Sequence, residues 1–71
     1  MYFVWFDDNP QKAVATKIDE AVGRFKKHYG SSPKICMLNE AVSVADYEVA
    51  GLELMSAKNV PQNYFWVGNE V

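Results

Sequence analysis

The chain opens on an apolar run in which both sides of a strand would be hydrophobic. Tyr2, Val4 and Phe6 point one way and Phe3 and Trp5 the other. A strand covered on one side alternates apolar and polar residues, so this pattern asks for a cover on each face of the sheet. In a chain of 71 residues that is demanding, and it points to a partner surface. The acidic stretch Asp7-Asp8-Asn9-Pro10 stops the strand. Asp8 or Asn9 is suited to cap a following helix, with Pro10 in its first turn. Asp8 with Gln11 three residues on fits a capping-box variant.

From Gln11 to Tyr29 the period changes. Val14, Ile18, Ala21, Val22, Phe25 and Tyr29 recur at three- and four-residue intervals and mark the buried stripe of an amphipathic helix. Glu20 and Arg24 are spaced for a favourable ion pair. Lys26 and Lys27, with His28, put positive charge where the helix dipole favours it. Gly30 is placed as a left-handed cap, and Ser31-Ser32-Pro33 as the connection.

Ile35-Cys36-Met37-Leu38 has no polar position, the pattern of a central strand, and Asn39-Glu40 closes it. Ala41, Val42, Val44, Ala45, Val49 and Ala50 predict a second, mostly buried helix, with Ser43 as its cap, Asp46 at the third position and Gly51 at its end. Leu52 to Ser56 partly alternates and reads as a half-covered strand. Residues 57–63 are a loop broken by Pro61, Tyr64-Phe65-Trp66-Val67 is the last strand, and 68–71 form a tail. The expected fold is one small α/β domain spanning 1–71, βαβαββ, with a mixed, mostly parallel sheet of about four strands and two helices. The last strand follows a loop too short for a helix and is expected antiparallel, at or near an edge. Helices on opposite faces would satisfy the first strand within one chain. Helices on the same face would leave the other face aromatic and bare, and would call for a dimer or a ligand.

Composition sharpens this picture in three places. Aromatics are 14% of the residues, enough for a dense core or an adhesive surface. Cys36 is the single cysteine, so no intramolecular disulfide forms, and its apolar neighbours mark it as a buried structural thiol. The N-terminus lacks a signal-peptide pattern and no apolar stretch approaches the about 18 residues of a membrane span, so a cytoplasmic protein with no membrane partner is expected.

Charge divides along the chain. Six of the seven basic residues, Lys12, Lys17, Arg24, Lys26, Lys27 and Lys34, share their stretch with only Asp19 and Glu20, whereas the stretch from 35 onward holds five acids against Lys58. A basic helix face carrying Lys17, Arg24, Lys27 and Lys34 could meet nucleic-acid phosphates. The overall charge of −2 disfavours strong nonspecific binding of that kind.

Candidate chemistry is sparse. Asp7, Asp8 and Glu40 follow two strand ends, and if those strands were neighbours the carboxylates could hold a hard cation or act as an acid–base pair. The same residues serve equally as turn and cap residues. The acidic turn after the first strand has no glycine, which excludes the Rossmann and P-loop phosphate cradles. One His and one buried Cys are too few for a zinc site. No cofactor is expected, and the chain reads as an accessory protein more than a stand-alone enzyme. The leading functional expectation is a protein-interaction module that self-associates, for example as a homodimer, through its aromatic sheet, with Tyr2, Phe3, Trp5, Tyr64 and Trp66 as interface residues. The alternatives are nucleic-acid binding through the basic helix face and metal or acid–base chemistry at the strand ends.

Overall fold

The computed structural model describes residues 2–69. In chain order these form β1 (Tyr2–Phe6), α1 (Val14–Tyr29), β2 (Ile35–Asn39), a single 3-10 turn (Val44–Asp46), β3 (Glu53–Ala57) and β4 (Tyr64–Gly68). The last two residues of the expected tail lie outside the described residues. The strands make one sheet in the order β1-β4-β2-β3. β4 runs antiparallel to both of its neighbours, and β2 with β3 is the one parallel pair in that sheet.

This corrects the expected fold class in two respects: the domain has one α-helix and not two, and its mixed sheet is mostly antiparallel. The second helix fails for a local reason. The segment is rich in β-branched Val42, Val44 and Val49, which lose side-chain freedom in a helix. Ser43 makes no side-chain capping bond, and Tyr47 is already extended at φ −127° and ψ 146°. Gly51, expected as a helix cap, adopts φ 76° in a tight turn where the Leu52 N–H donates to the Val49 carbonyl at 3.0 Å.

The last strand is antiparallel as its short loop required, but it lies inside the sheet, between β1 and β2. The loop 58–63 crosses the end of β2 and is held there by the Asn39 side chain, whose Nδ2 donates to the Val60 carbonyl at 2.8 Å. Val60, within this loop, is fully buried. The two-sided apolarity of β4 fits its central place, with Phe65 and Val67 buried. β1 and β2 are thus parallel strands joined through α1 with an antiparallel strand inserted between them, a split β-α-β arrangement.

The start of α1 also differs from expectation. The helix begins at Val14, its N-cap Ala13 supplies no side-chain bond, and the polar residues before it hold a turn of their own. The Asn9 N–H donates to Asp7 Oδ1 and the Gln11 N–H to Asn9 Oδ1, each at 2.9 Å. Such side-chain turns compete with capping for the same oxygen atoms. The other end is as the sequence predicts: Gly30 takes the left-handed conformation at φ 77° and donates its N–H to the Lys26 carbonyl at 2.7 Å.

The main core lies between helix and sheet, and Ile35, on the face shared by Met37, and Val60 are buried outside it. Ile18, Ala21 and Phe25 of α1 pack on Cys36, Leu38, Phe65 and Val67 of the sheet. Each large side chain buried this way contributes about 1.5–3 kcal/mol. Val42, Val44, Val49 and Leu52, from the segment joining β2 to β3, pack against the same cluster. Helix and crossover therefore lie on one face of the sheet, and among the described residues no helix lies on the other.

Candidate functional site

Strand alternation and register define the open face. Tyr2, Val4 and Phe6 of β1 lie beside Trp66 and Tyr64 of β4, followed by Met37 of β2 and Met55 of β3. Val4 and Phe6 are 52% and 50% exposed, large values for apolar side chains in a sheet. The aromatic rings contact one another across the strands: Phe6 and Tyr64 lie 4.9 Å apart between centroids and Tyr2 and Trp66 6.4 Å. The Nε1 of Trp66 is shielded from solvent and has no hydrogen-bond acceptor among the described residues.

Of the five aromatics expected at an interface, Tyr2, Tyr64 and Trp66 share this face. Phe3 and Trp5 lie on the other, stacked on each other at 6.4 Å, with Phe3 edge-on to Phe25 of the helix. The face also includes Val4, Phe6, Met37, Met55 and the buried Ile35, none of them among the expected interface residues. The alternation within β1 already separates Val4 and Phe6 from Phe3 and Trp5, so that part was legible. The methionines needed the register.

The basic residues are divided. Arg24 places its guanidinium 5.2 Å from the centre of the Trp5 ring, and Lys27 lines the same cleft. Lys17 is 7% exposed, its stem buried in the packing of α1, and Lys34 sits ahead of β2 and lines neither cleft beside Trp5. Lys12 is engaged on both sides, by Glu20 at 2.7 Å and Asp7 at 3.2 Å. Those bonds, Glu20 foremost, hold the Lys12 ammonium above its usual pKa. The Asp7 carboxyl is held below its usual range by the Asn9 backbone N–H first and then by Lys12.

The acidic strand ends do not converge. β4 separates β1 from β2, which puts two strand spacings, roughly 10 Å, between the chain after Phe6 and the chain after Asn39. Asp7 is occupied by the turn and Lys12, Asp8 is exposed, and Glu40 lies beyond Asn39, whose Oδ1 accepts the Ala41 N–H. Among the described residues no group of three or more His, Cys, Asp or Glu side chains is placed to hold a metal ion. Cys36 is fully buried, and burial pushes its thiol up to about 12, which leaves it neutral and inert at ordinary pH.

No protein-family model, curated protein or solved structure matches this chain. No helix of the described residues is long and apolar enough to cross a membrane.

Proposed function

We propose that this protein is a small interaction module that associates with a second copy of itself through the open sheet face. The observation that carries the reading is the apolar face on which no described helix lies, with Val4 and Phe6 half exposed beside Tyr64 and Trp66. Within the register of that face the one charged side chain is Glu53, at its margin, so two copies can meet without burying an unpaired charge at the centre. Aromatics and methionine are the residues enriched in interface cores. Four strands of five residues span a face of roughly 300 Å², in the range of patches that are commonly functional on monomers and well below the about 800 Å² per partner of a standard stable interface. The dimer is accordingly weak and reversible. An accessory role fits this reading, and the buried Cys36 suits a reducing cytoplasm.

Sedimentation equilibrium over a wide concentration range tests this. The wild type shifts from one chain mass towards two as concentration rises, whereas Val4→Lys and Trp66→Ala stay at one. A wild type that remains monomeric at the highest concentration reached removes the proposal.

A further inference from the structure

A second surface lies along the outer side of β1. It is independent of the open face, because it is built from the opposite side of that strand and from α1. Side chains of α1 reach β1 at two points, where Phe3 meets His28 at 6.0 Å and Trp5 meets Arg24 at 5.2 Å, and just beyond both elements Asp7 meets Lys12, which also bonds Glu20. Between helix and strand runs a trench with Trp5 and Phe3 on its floor and Lys12, Arg24 and Lys27 along its wall. From Glu20 to His28 it measures about 12 Å, the rise of eight helical residues. Lys12 is neutralised by its two carboxylates, so Arg24 and Lys27 are the cations it offers.

β1 is an edge strand, and its hydrogen-bonding groups show which side is open. The Asp7 N–H donates to the Asn63 carbonyl at 2.9 Å, continuing the β1–β4 ladder. Backbone groups alternate from residue to residue, so Phe3 and Trp5 turn theirs towards β4, and Val4 and Phe6 turn theirs to the outer edge. No described strand pairs with that edge. Exposed edges of this kind accept an added strand, with main-chain bonds for affinity and alternate side chains for specificity.

Two further details fit an occupant in the trench. Gly23 stands in the middle of α1, at the trench wall, where a Cβ would meet nothing within 4 Å. A helical glycine costs helix stability, and no internal packing requires it here; its bare backbone leaves room for close approach from outside. The Nε1 of Trp5 is shielded beneath the trench and has no acceptor among the described residues.

We propose that an extended, acidic segment of a partner protein adds to the β1 edge as a further strand and sets its carboxylates against Arg24 and Lys27. A strand laid on Val4 and Phe6 presents every second side chain to the trench. Charge complementarity selects acids there, and a carboxylate reaching below Arg24 supplies the acceptor that Trp5 lacks. Single-stranded nucleic acid, which would stack on aromatics and follow the cations, is less well matched because it makes no use of the strand edge.

The test uses the full chain and a short acetylated peptide alternating glutamate and valine, followed by nitrogen–proton NMR and anisotropy. On binding, the Val4 and Phe6 amides shift and become protected from exchange, and the Trp5 indole N–H moves downfield. Affinity falls with added salt, and Arg24→Glu with Lys27→Glu weakens it by about tenfold or more, as expected for charge pairs at a binding edge. Met55→Lys, which alters the open face alone, leaves peptide binding unchanged even where it abolishes self-association, so failure of one proposal is separable from failure of the other. Equal binding of a lysine–valine peptide overturns the proposal, as does binding without change at the Val4 and Phe6 amides. Tighter binding of oligothymidylate than of the acidic peptide overturns it in favour of a nucleic-acid ligand.

Discussion

The indoles of Trp5 and Trp66 lie on opposite faces of one sheet, in adjacent strands, and neither Nε1–H has an acceptor among the described residues. A shielded indole N–H left unpaired costs about 1–3 kcal/mol. This small domain carries two of them, each beside a surface proposed to receive a partner. The two indole resonances therefore report on the two surfaces separately. On dilution through the dimer transition, the Trp66 signal moves and the Trp5 signal stays, and fluorescence of Trp5→Phe, which retains Trp66 alone, follows the transition. Equal movement of both signals would argue that dilution alters the whole fold and not one face.

The core and the open face should respond differently to truncation. Ile18 and Leu38 are 0% and 1% exposed in the main core. Ile18→Ala or Leu38→Ala costs about 2–5 kcal/mol, a large share of the 5–15 kcal/mol expected of a whole domain. Val4→Lys, at a half-exposed site, changes the stability of the monomer by about 0.5 kcal/mol or less. Urea unfolding at low protein concentration separates the two cases.

Gly23→Ala is expected to stabilise the isolated protein. The site is helical and exposed, with open space where the methyl group would go. The gain is about 0.5–1 kcal/mol from helix propensity. In a domain of this size about 1 kcal/mol corresponds to roughly 4–8 °C in Tm, readable by calorimetry. A lower Tm would show that the glycine serves a packing role that the geometry does not contain.

Cys36 sets an alkaline limit. Burial raises its thiol from 9.0 to about 12, so the folded protein holds a proton that the unfolded chain releases. Stability from this group is complete below about pH 9 and falls as pH rises from there towards 12, by up to about 1.4 kcal/mol per pH unit. Cys36→Ser or Cys36→Ala removes the slope. The native thiol also reacts with disulfide reagents only as fast as the chain unfolds.

Asp7 acts at the opposite end of the pH scale. Its carboxyl is held below the ordinary value of 3.8, mainly by the Asn9 N–H. Its contribution is present above that value and is lost as pH falls through the lowered one. Asp7→Asn therefore flattens the acid limb of the stability profile, and acid unfolding followed by circular dichroism shows whether it does.

Local pattern determined a good deal of this protein. The three- and four-residue spacing from Val14 to Tyr29, the Gly30 cap and the apolar runs at Tyr2, Ile35 and Tyr64 depend on neighbours close in the chain, and the structure has the helix, the cap and the strands there. The stretch from Ala41 to Ala50 misled because its apolar spacing suits a helix, whereas β-branching and the turn at Gly51 prevented one. Tertiary structure alone decided that β4 enters the sheet between β1 and β2. That outcome rests on a loop crossing, pinned by Asn39 to Val60, between residues far apart in sequence. The same insertion parted Asp7 and Asp8 from Glu40. The sequence stated that β1 is apolar on both sides; only the packing of α1 and the β2–β3 crossover against one face determined which side stays open. Periodicity records that a face is apolar, and long-range pairing chooses what, if anything, covers it.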